Sequence, residues 1–175
     1  GQAPFATVFG CMDSRVAAEL IFDCGFGDLA VVRTAGHGLD NAVLGSLEFG
    51  HVGLGTPLIV VLGHSRCGAV RATLAAHRTG ELPGGYIRDV VEHVTPSLIA
   101  SHQDVATVDP DTLGILHVRQ TVKLIVERSP ALAQAVSLGT LAIVGAGCRL
   151  RNGKVHLLDV VGDVGQDDGS VAVAV

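Results

Sequence analysis

The stretch Leu58-Ile59-Val60-Val61-Leu62-Gly63, followed at once by His64-Ser65-Arg66-Cys67-Gly68, decides how this chain is read. Its first part has no polar residue and no polar alternation. Such a run predicts a central strand of a parallel sheet, covered on both faces. Outward from it, shorter apolar runs at 5–10, 29–33 and 141–145 predict further strands. Helical patterns lie between them at 16–23, 41–52 and 67–78, with Asp40 as N-cap of the second. Asp109-Pro110 and Ser129-Pro130 each pair an N-cap residue with Pro at the first helical position, opening helices over 110–127 and 130–137. Asn152-Gly153 predicts a type I′ hairpin joining 148–150 to 155–158. The expected fold class is α/β: a mainly parallel β-sheet flanked by helices, with an antiparallel edge hairpin. In such sheets ligands bind beyond the carboxyl ends of the strands.

Composition narrows the function. The chain has 175 residues and a formal charge of -5, with 48% hydrophobic and 17% charged residues. That fits one domain over 1–175 with a real core, and argues against disorder. The acidic balance and the 3% aromatic content argue against a nucleic-acid partner. No apolar run approaches the roughly 20 residues of a membrane span, so no membrane partner is expected. The opening Gly1-Gln2-Ala3-Pro4 does not read as a signal peptide. Cys11, Cys24, Cys67 and Cys148 are too few and too unevenly spaced for a disulfide scaffold, and point to cytoplasmic thiols. The tail from Asp163 begins acidic and ends apolar over 171–175.

Two strand ends carry the chemistry. The first strand runs into Cys11-Met12-Asp13-Ser14-Arg15 and the central one into His64-Ser65-Arg66-Cys67. If these strands are neighbours, Cys11, His64 and Cys67 converge in one crevice. Two thiolates and an imidazole suit Zn²⁺, and three protein ligands leave the fourth position that marks a catalytic site. Water in that position ionises near neutral pH. Asp13 and Arg15 are close enough to ion-pair across the turn, which keeps the carboxylate ionised and able to accept a hydrogen bond. Freed from Arg15, Asp13 can instead fill the fourth position. A closed structural site of Cys11, His64, Cys67 and Asp13 fits the same residues.

These paired clusters resemble the β-class carbonic anhydrases, marked by Cys-x-Asp-x-Arg after the first strand and His-x-x-Cys after the central one. The resemblance extends through Val31-Val32-Arg33-Thr34-Ala35-Gly36, Ala42-Val43-Leu44-Gly45-Ser46-Leu47-Glu48 and Leu141-Ala142-Ile143-Val144-Gly145, nearly the whole chain. It implies reversible hydration of carbon dioxide to bicarbonate and a proton by a zinc-bound hydroxide, with one Zn²⁺ per chain held by Cys11, His64 and Cys67. Asp13 and Arg15 become the catalytic dyad. Gln2 and the backbone N–H of Gly68 become substrate-binding groups. The implied assembly is a cytoplasmic homodimer or dimer of dimers (a homotetramer). The family's N-terminal helices are not part of this sequence. One allosteric subgroup binds inhibitory bicarbonate through Trp, Arg and Tyr. Arg33 matches its Arg, whereas Val8 and Cys148 stand at the other two places, so no such site is expected.

The same scaffold also suits a hydrolase of carbon disulfide or carbonyl sulfide, and a non-catalytic zinc-binding module is the alternative from another class. A nucleotide-binding domain is disfavoured, because no Gly-x-Gly-x-x-Gly follows the first strand. Cys24 and Cys148 are expected to be buried small hydrophobes. Among the eight histidines only His64 sits in a ligand pattern; the others, His37 and His117 included, are expected to be packing or surface residues.

Overall fold

The computed structural model describes residues 1–165. The apolar run at 171–175 lies outside the described residues. Five strands form one sheet in the order β2-β1-β3-β4-β5: β1 Ala6–Cys11, β2 Leu29–Thr34, β3 Leu58–His64, β4 Ala142–Arg149 and β5 Lys154–Val161. The first four pair in parallel and β5 runs antiparallel to β4, which is the expected architecture. β3 lies between β1 and β4 and is buried from Ile59 to His64, as its unbroken apolar run requires.

Among the described residues six α-helices surround the sheet: α1 Ala18–Ile21, α2 Asn41–Glu48, α3 Gly68–Thr79, α4 Ile87–Ala100, α5 Pro110–Arg128 and α6 Pro130–Ser137. On one face, Phe9, Ile59, Val61 and Ile143 pack with residues of α2, α5 and α6. On the other, Val8, Val60, Leu62 and Cys148 meet Val16 and Ala18. A third cluster of Val70, Leu74, Val94, Leu98 and Leu113 ties α3, α4 and α5 together and includes Cys11 and Cys67. Close approach of α5 to the sheet depends on glycine. A Cβ at Gly63 would collide with Val118 Cγ2, and one at Gly145 would sit 2.8 Å from Val118 Cγ1.

The caps are as read from the sequence. The Asp40 carboxylate accepts the Val43 N–H at 2.8 Å, Asp109 caps α5, and the Ser129 hydroxyl accepts the Leu132 N–H at 3.2 Å. Four local expectations need correction. The helix expected over 41–52 ends at Glu48 and widens into a π-helical turn, Phe49–Gly53. There Gly50 abuts Thr7, where no side chain has room. The helix at 16–23 shrinks to α1. The β4–β5 connection is not a two-residue type I′ turn. Four residues, 150–153, separate the paired Arg149 and Lys154, and of these only Gly153 has positive φ, at 69°. α4 went unread because Pro96, a helix breaker by its missing N–H, lies inside it. Cys148 is buried as expected, whereas Cys24 is only half-buried. No helix among the described residues is long and apolar enough to cross a membrane.

Candidate active site

Strand order brings the two motifs together. β1 and β3 pair directly, with Gly10 opposite Leu62, so their carboxyl ends open side by side. β1 leads on to β2 on one side while β3 lies on the other, which makes this a topological switch point of the sheet. The site is built there, from the last residue of β1, the last of β3 and the residue that opens α3.

Cys11 Sγ, a His64 ring nitrogen and Cys67 Sγ all lie within 4.8 Å of one another, and all three residues are buried. His64 Nδ1 is 2.9 Å from the Ser65 carbonyl. Its Nε2 is buried and has no hydrogen-bond partner among the described residues. A carbonyl can only accept, so Nδ1 carries the hydrogen and Nε2 presents a lone pair. An orphaned imidazole nitrogen beside two sulfurs is the donor set of a zinc site, and such an orphan requires an explanation in a native fold. These residues therefore fit a soft or borderline divalent metal.

The electrostatics agree. The Cys11 thiol is lowered to about 4, chiefly by the Cys67 thiol beside it; burial opposes this, and the N–H groups of Asp13 and Gly36 assist. Gly36 N–H reaches the Cys11 sulfur at 3.3 Å. Cys67 is pushed up by the same pairing and by burial. Burial pulls His64 down, but the adjacent Cys11 sulfur, the Ser65 carbonyl and the Asp13 charge outweigh it, and its pKa is raised. A divalent cation among these groups would displace their protons and neutralise both thiolates.

Asp13 and Arg15 form the expected pair. Arg15 Nε donates to Asp13 Oδ1 at 2.9 Å and Nη2 to Oδ2 at 2.6 Å, while the Arg15 backbone N–H adds a bond to Oδ1 at 3.0 Å. This grip holds the Asp13 carboxyl well below the usual carboxylate range. Arg33 performs a task the motif did not announce: Nε and Nη2 donate to the carbonyls of Cys11 and Asp13 at 2.9 and 2.6 Å. It thereby fixes the backbone that carries one sulfur and the dyad acid. Gly68 is the first residue of α3, where its N–H has no intrahelical acceptor. Gln2 is exposed and precedes β1, at the end of that strand remote from Cys11. Within one chain it does not join the cluster.

His117 was not singled out by any sequence pattern, yet it is buried and engaged on both nitrogens. Nε2 donates to the Gly36 carbonyl at 2.8 Å and Nδ1 accepts from the Ser97 hydroxyl at 2.7 Å. Its ring stacks on His37 with centroids 4.2 Å apart. A lone His at one helical position gives no sequence signal for such a contact.

The fold is a mainly parallel α/β sheet with a Cys-His-Cys cluster at a topological switch point, and comparison with known proteins places it. Residues 6–155 match the family model described as carbonic anhydrase. The chain is 52% identical over 167 residues to carbonic anhydrase 2 of Mycobacterium tuberculosis, covering 95% of this chain and 80% of the relative. It is likewise 52% identical over 165 residues to carbonic anhydrase of Mycolicibacterium smegmatis, covering 94% and 80%. A Coccomyxa β-carbonic anhydrase, solved in complex with acetazolamide, superposes with a TM-score of 0.81 at 25% identity, covering 92% of this chain and 75% of that one. A tetrameric β-carbonic anhydrase from Sordaria macrospora superposes with a TM-score of 0.81 at 22% identity, covering 93% and 84%. The chain belongs to the β-carbonic anhydrase family. It is an enzyme, and its reaction is the hydration of carbon dioxide.

Proposed function

We propose that Cys11, His64 and Cys67 hold one zinc ion per chain and that Asp13, gripped by Arg15, orients the reacting oxygen. The observation that carries this reading is the orphaned Nε2 of His64 set among two sulfurs, with Asp13 Oδ2 only 3.9 Å away. Zinc there would supply a Lewis acid that ionises water near neutral pH. Asp13 stays ionised because of Arg15, accepts the proton of the attacking oxygen in a hydrogen bond, and so aims its lone pair at the carbon of CO₂. The N–H of Gly68, at the positive end of α3, meets the oxygen that gains charge as bicarbonate forms. Release of Arg15 would let Asp13 turn toward the metal and close the site.

Gln2, remote from Cys11 in its own chain, serves a substrate only by reaching the site of a second copy. This supports a homodimer or dimer of dimers, as do the exposed side chains of Leu20, Phe26 and Phe49. Four free cysteines support a reducing, cytoplasmic setting. One domain spans the chain in this reading. The test is stopped-flow CO₂ hydration against pH with zinc assayed in the same sample. Turnover that disappears with the metal upholds the reading. Full zinc with unchanged turnover in Asp13→Asn removes the dyad from it.

A further inference from the structure

A cavity of about 520 Å³ shares the turn between β3 and α3 with the metal cluster, yet neither Cys11 nor Cys67 lines it. Ile115 and Val118 of α5 and Leu158 of β5 give it an apolar wall, and Gly63, Gly114 and Gly147 keep it open. The rest of its lining is dominated by Arg66, Arg149, Arg151 and His156, with Asp111 as the one acid and His64, Ser65 and Cys148 beside the β3–α3 turn.

Three of the chain's twelve Lys and Arg residues thus converge on one cavity in a protein of net charge -5. Their guanidinium groups make no hydrogen bond or ion pair among the described residues. Asp111 offsets one of these charges without ion-pairing with any of them: its Oδ1 accepts the Arg66 backbone N–H at 2.6 Å. The basic turn is also fixed in advance. Ser65 N–H donates to the Cys148 carbonyl at 3.0 Å, and its hydroxyl accepts the Leu150 N–H at 3.1 Å. Arg66 itself is held in the left-handed region at φ 55°, a conformation that persists in a non-glycine residue only where its surroundings impose it.

The charges and the size specify a ligand class. Three guanidinium groups against one carboxylate leave a surplus of two positive charges. A phosphomonoester carries roughly -1.5 to -2 at neutral pH, and guanidinium forks bind its oxygens in pairs. Small-molecule pockets run from roughly 300 to 1,000 Å³, so this one has room for an organic body against Ile115 and Leu158 besides the phosphate. Bicarbonate, with one charge and no apolar part, uses neither feature fully.

We propose that the cavity between the β3–α3 turn, α5 and the β4–β5 hairpin binds a phosphomonoester with a compact apolar body, its phosphate on Arg66, Arg149 and Arg151 and its body against Ile115 and Leu158. This cavity adjoins the reaction centre and shares His64 with it, but the phosphate and apolar contacts fall on residues given no role there.

Calorimetric titration of the zinc-loaded protein with phenyl phosphate tests it, with amide chemical shifts to locate the ligand. One molecule is expected to bind per chain, shifting the amides of Gly114 and Gly147. The Arg149→Gln/Arg151→Gln variant should bind about tenfold more weakly or worse while its CO₂ hydration without ligand stays at the parent level. Ile115→Gln, an uncharged change at an exposed helix position, should weaken binding of phenyl phosphate several-fold while leaving the charge of the cavity unaltered. Absence of binding, equal binding by the arginine variant, or shifts confined to residues around Cys11 would overturn the proposal. Inorganic phosphate binding as tightly as phenyl phosphate would overturn the ligand class.

Discussion

Asp13 is held by Arg15 at 2.6 Å while its Oδ2 stands 3.9 Å from His64 Nε2. One carboxylate is thus anchored to a guanidinium and poised beside a ring nitrogen of the Cys11, His64 and Cys67 cluster. Arg15 is half-exposed, and among the described residues no other group hydrogen-bonds the Asp13 side chain, so the position of the acid depends on this pair.

Asp13→Asn should keep its zinc, since the three proposed ligands remain, but lose the negative charge that makes Asp13 a strong acceptor and the ion pair with Arg15 that fixes it. A loss of about 10²-fold or more in kcat fits the usual contribution of a positioned proton-accepting group. Stopped-flow hydration with zinc assayed in the same sample measures it, and parent-level turnover would refute the assignment.

Arg15→Ala should free Asp13 to reach the metal. Turnover should fall by a comparable factor, and X-ray absorption of the zinc should show an added carboxylate oxygen. An active variant with an unchanged zinc spectrum would contradict the role given to Arg15.

Cys67→Ala removes one sulfur of the cluster. Purified protein should contain little zinc, show no hydration above background and regain neither on zinc addition at micromolar levels. Chelation of the parent enzyme should likewise abolish hydration, reversibly.

His117 is lowered to about 4, first by burial, and His37 lies well below its ordinary value for the same reason. In the window from about 6.5 down to 4 the unfolded chain takes up protons there that the folded chain refuses. Stability should therefore fall with pH across that window, by about 3 kcal/mol for His117 alone. Urea titrations from pH 7 to 4.5 should show a smaller loss in His117→Gln than in the parent. Equal losses would mean that His117 titrates normally in the fold.

Gly63→Ala should destabilise by about 1–3 kcal/mol, because the new methyl meets Val118 where α5 lies closest to the sheet. Val118→Ala added to it should restore part of the loss. Thermal unfolding of the two single variants and the double variant gives the coupling.

The sequence disclosed those features that depend on local pattern or on adjacent residues. The unbroken run of β3 revealed a covered strand, Asp109-Pro110 and Ser129-Pro130 revealed helix starts, and the two Cys/His clusters revealed the site once their strands were taken as neighbours. Other features depend on contacts that no local pattern records. α4 contains Pro96, and its helix is held by packing of Val91, Val94 and Leu98 rather than by propensity. Arg33 matches an arginine of the allosteric subgroup in sequence, but its task is visible only once β2 pairs with β1 and sets it against the carbonyls of Cys11 and Asp13. His117 reaches Gly36 across 81 residues of sequence. The β4–β5 turn was misread because Asn152-Gly153 fits a two-residue turn, whereas the chain takes four.

The site draws its ligand groups from the two ends of a long excursion: Cys11 closes β1, and His64 closes β3 only after β2 and α2 have intervened. The donors therefore have no affinity to share until the centre of the sheet has zipped. During synthesis, a chain that has emerged only as far as α2 carries just one of the three proposed donors, Cys11, too little to trap an ion. Capture comes after strand pairing, so a loaded site records that the core strands found each other in register.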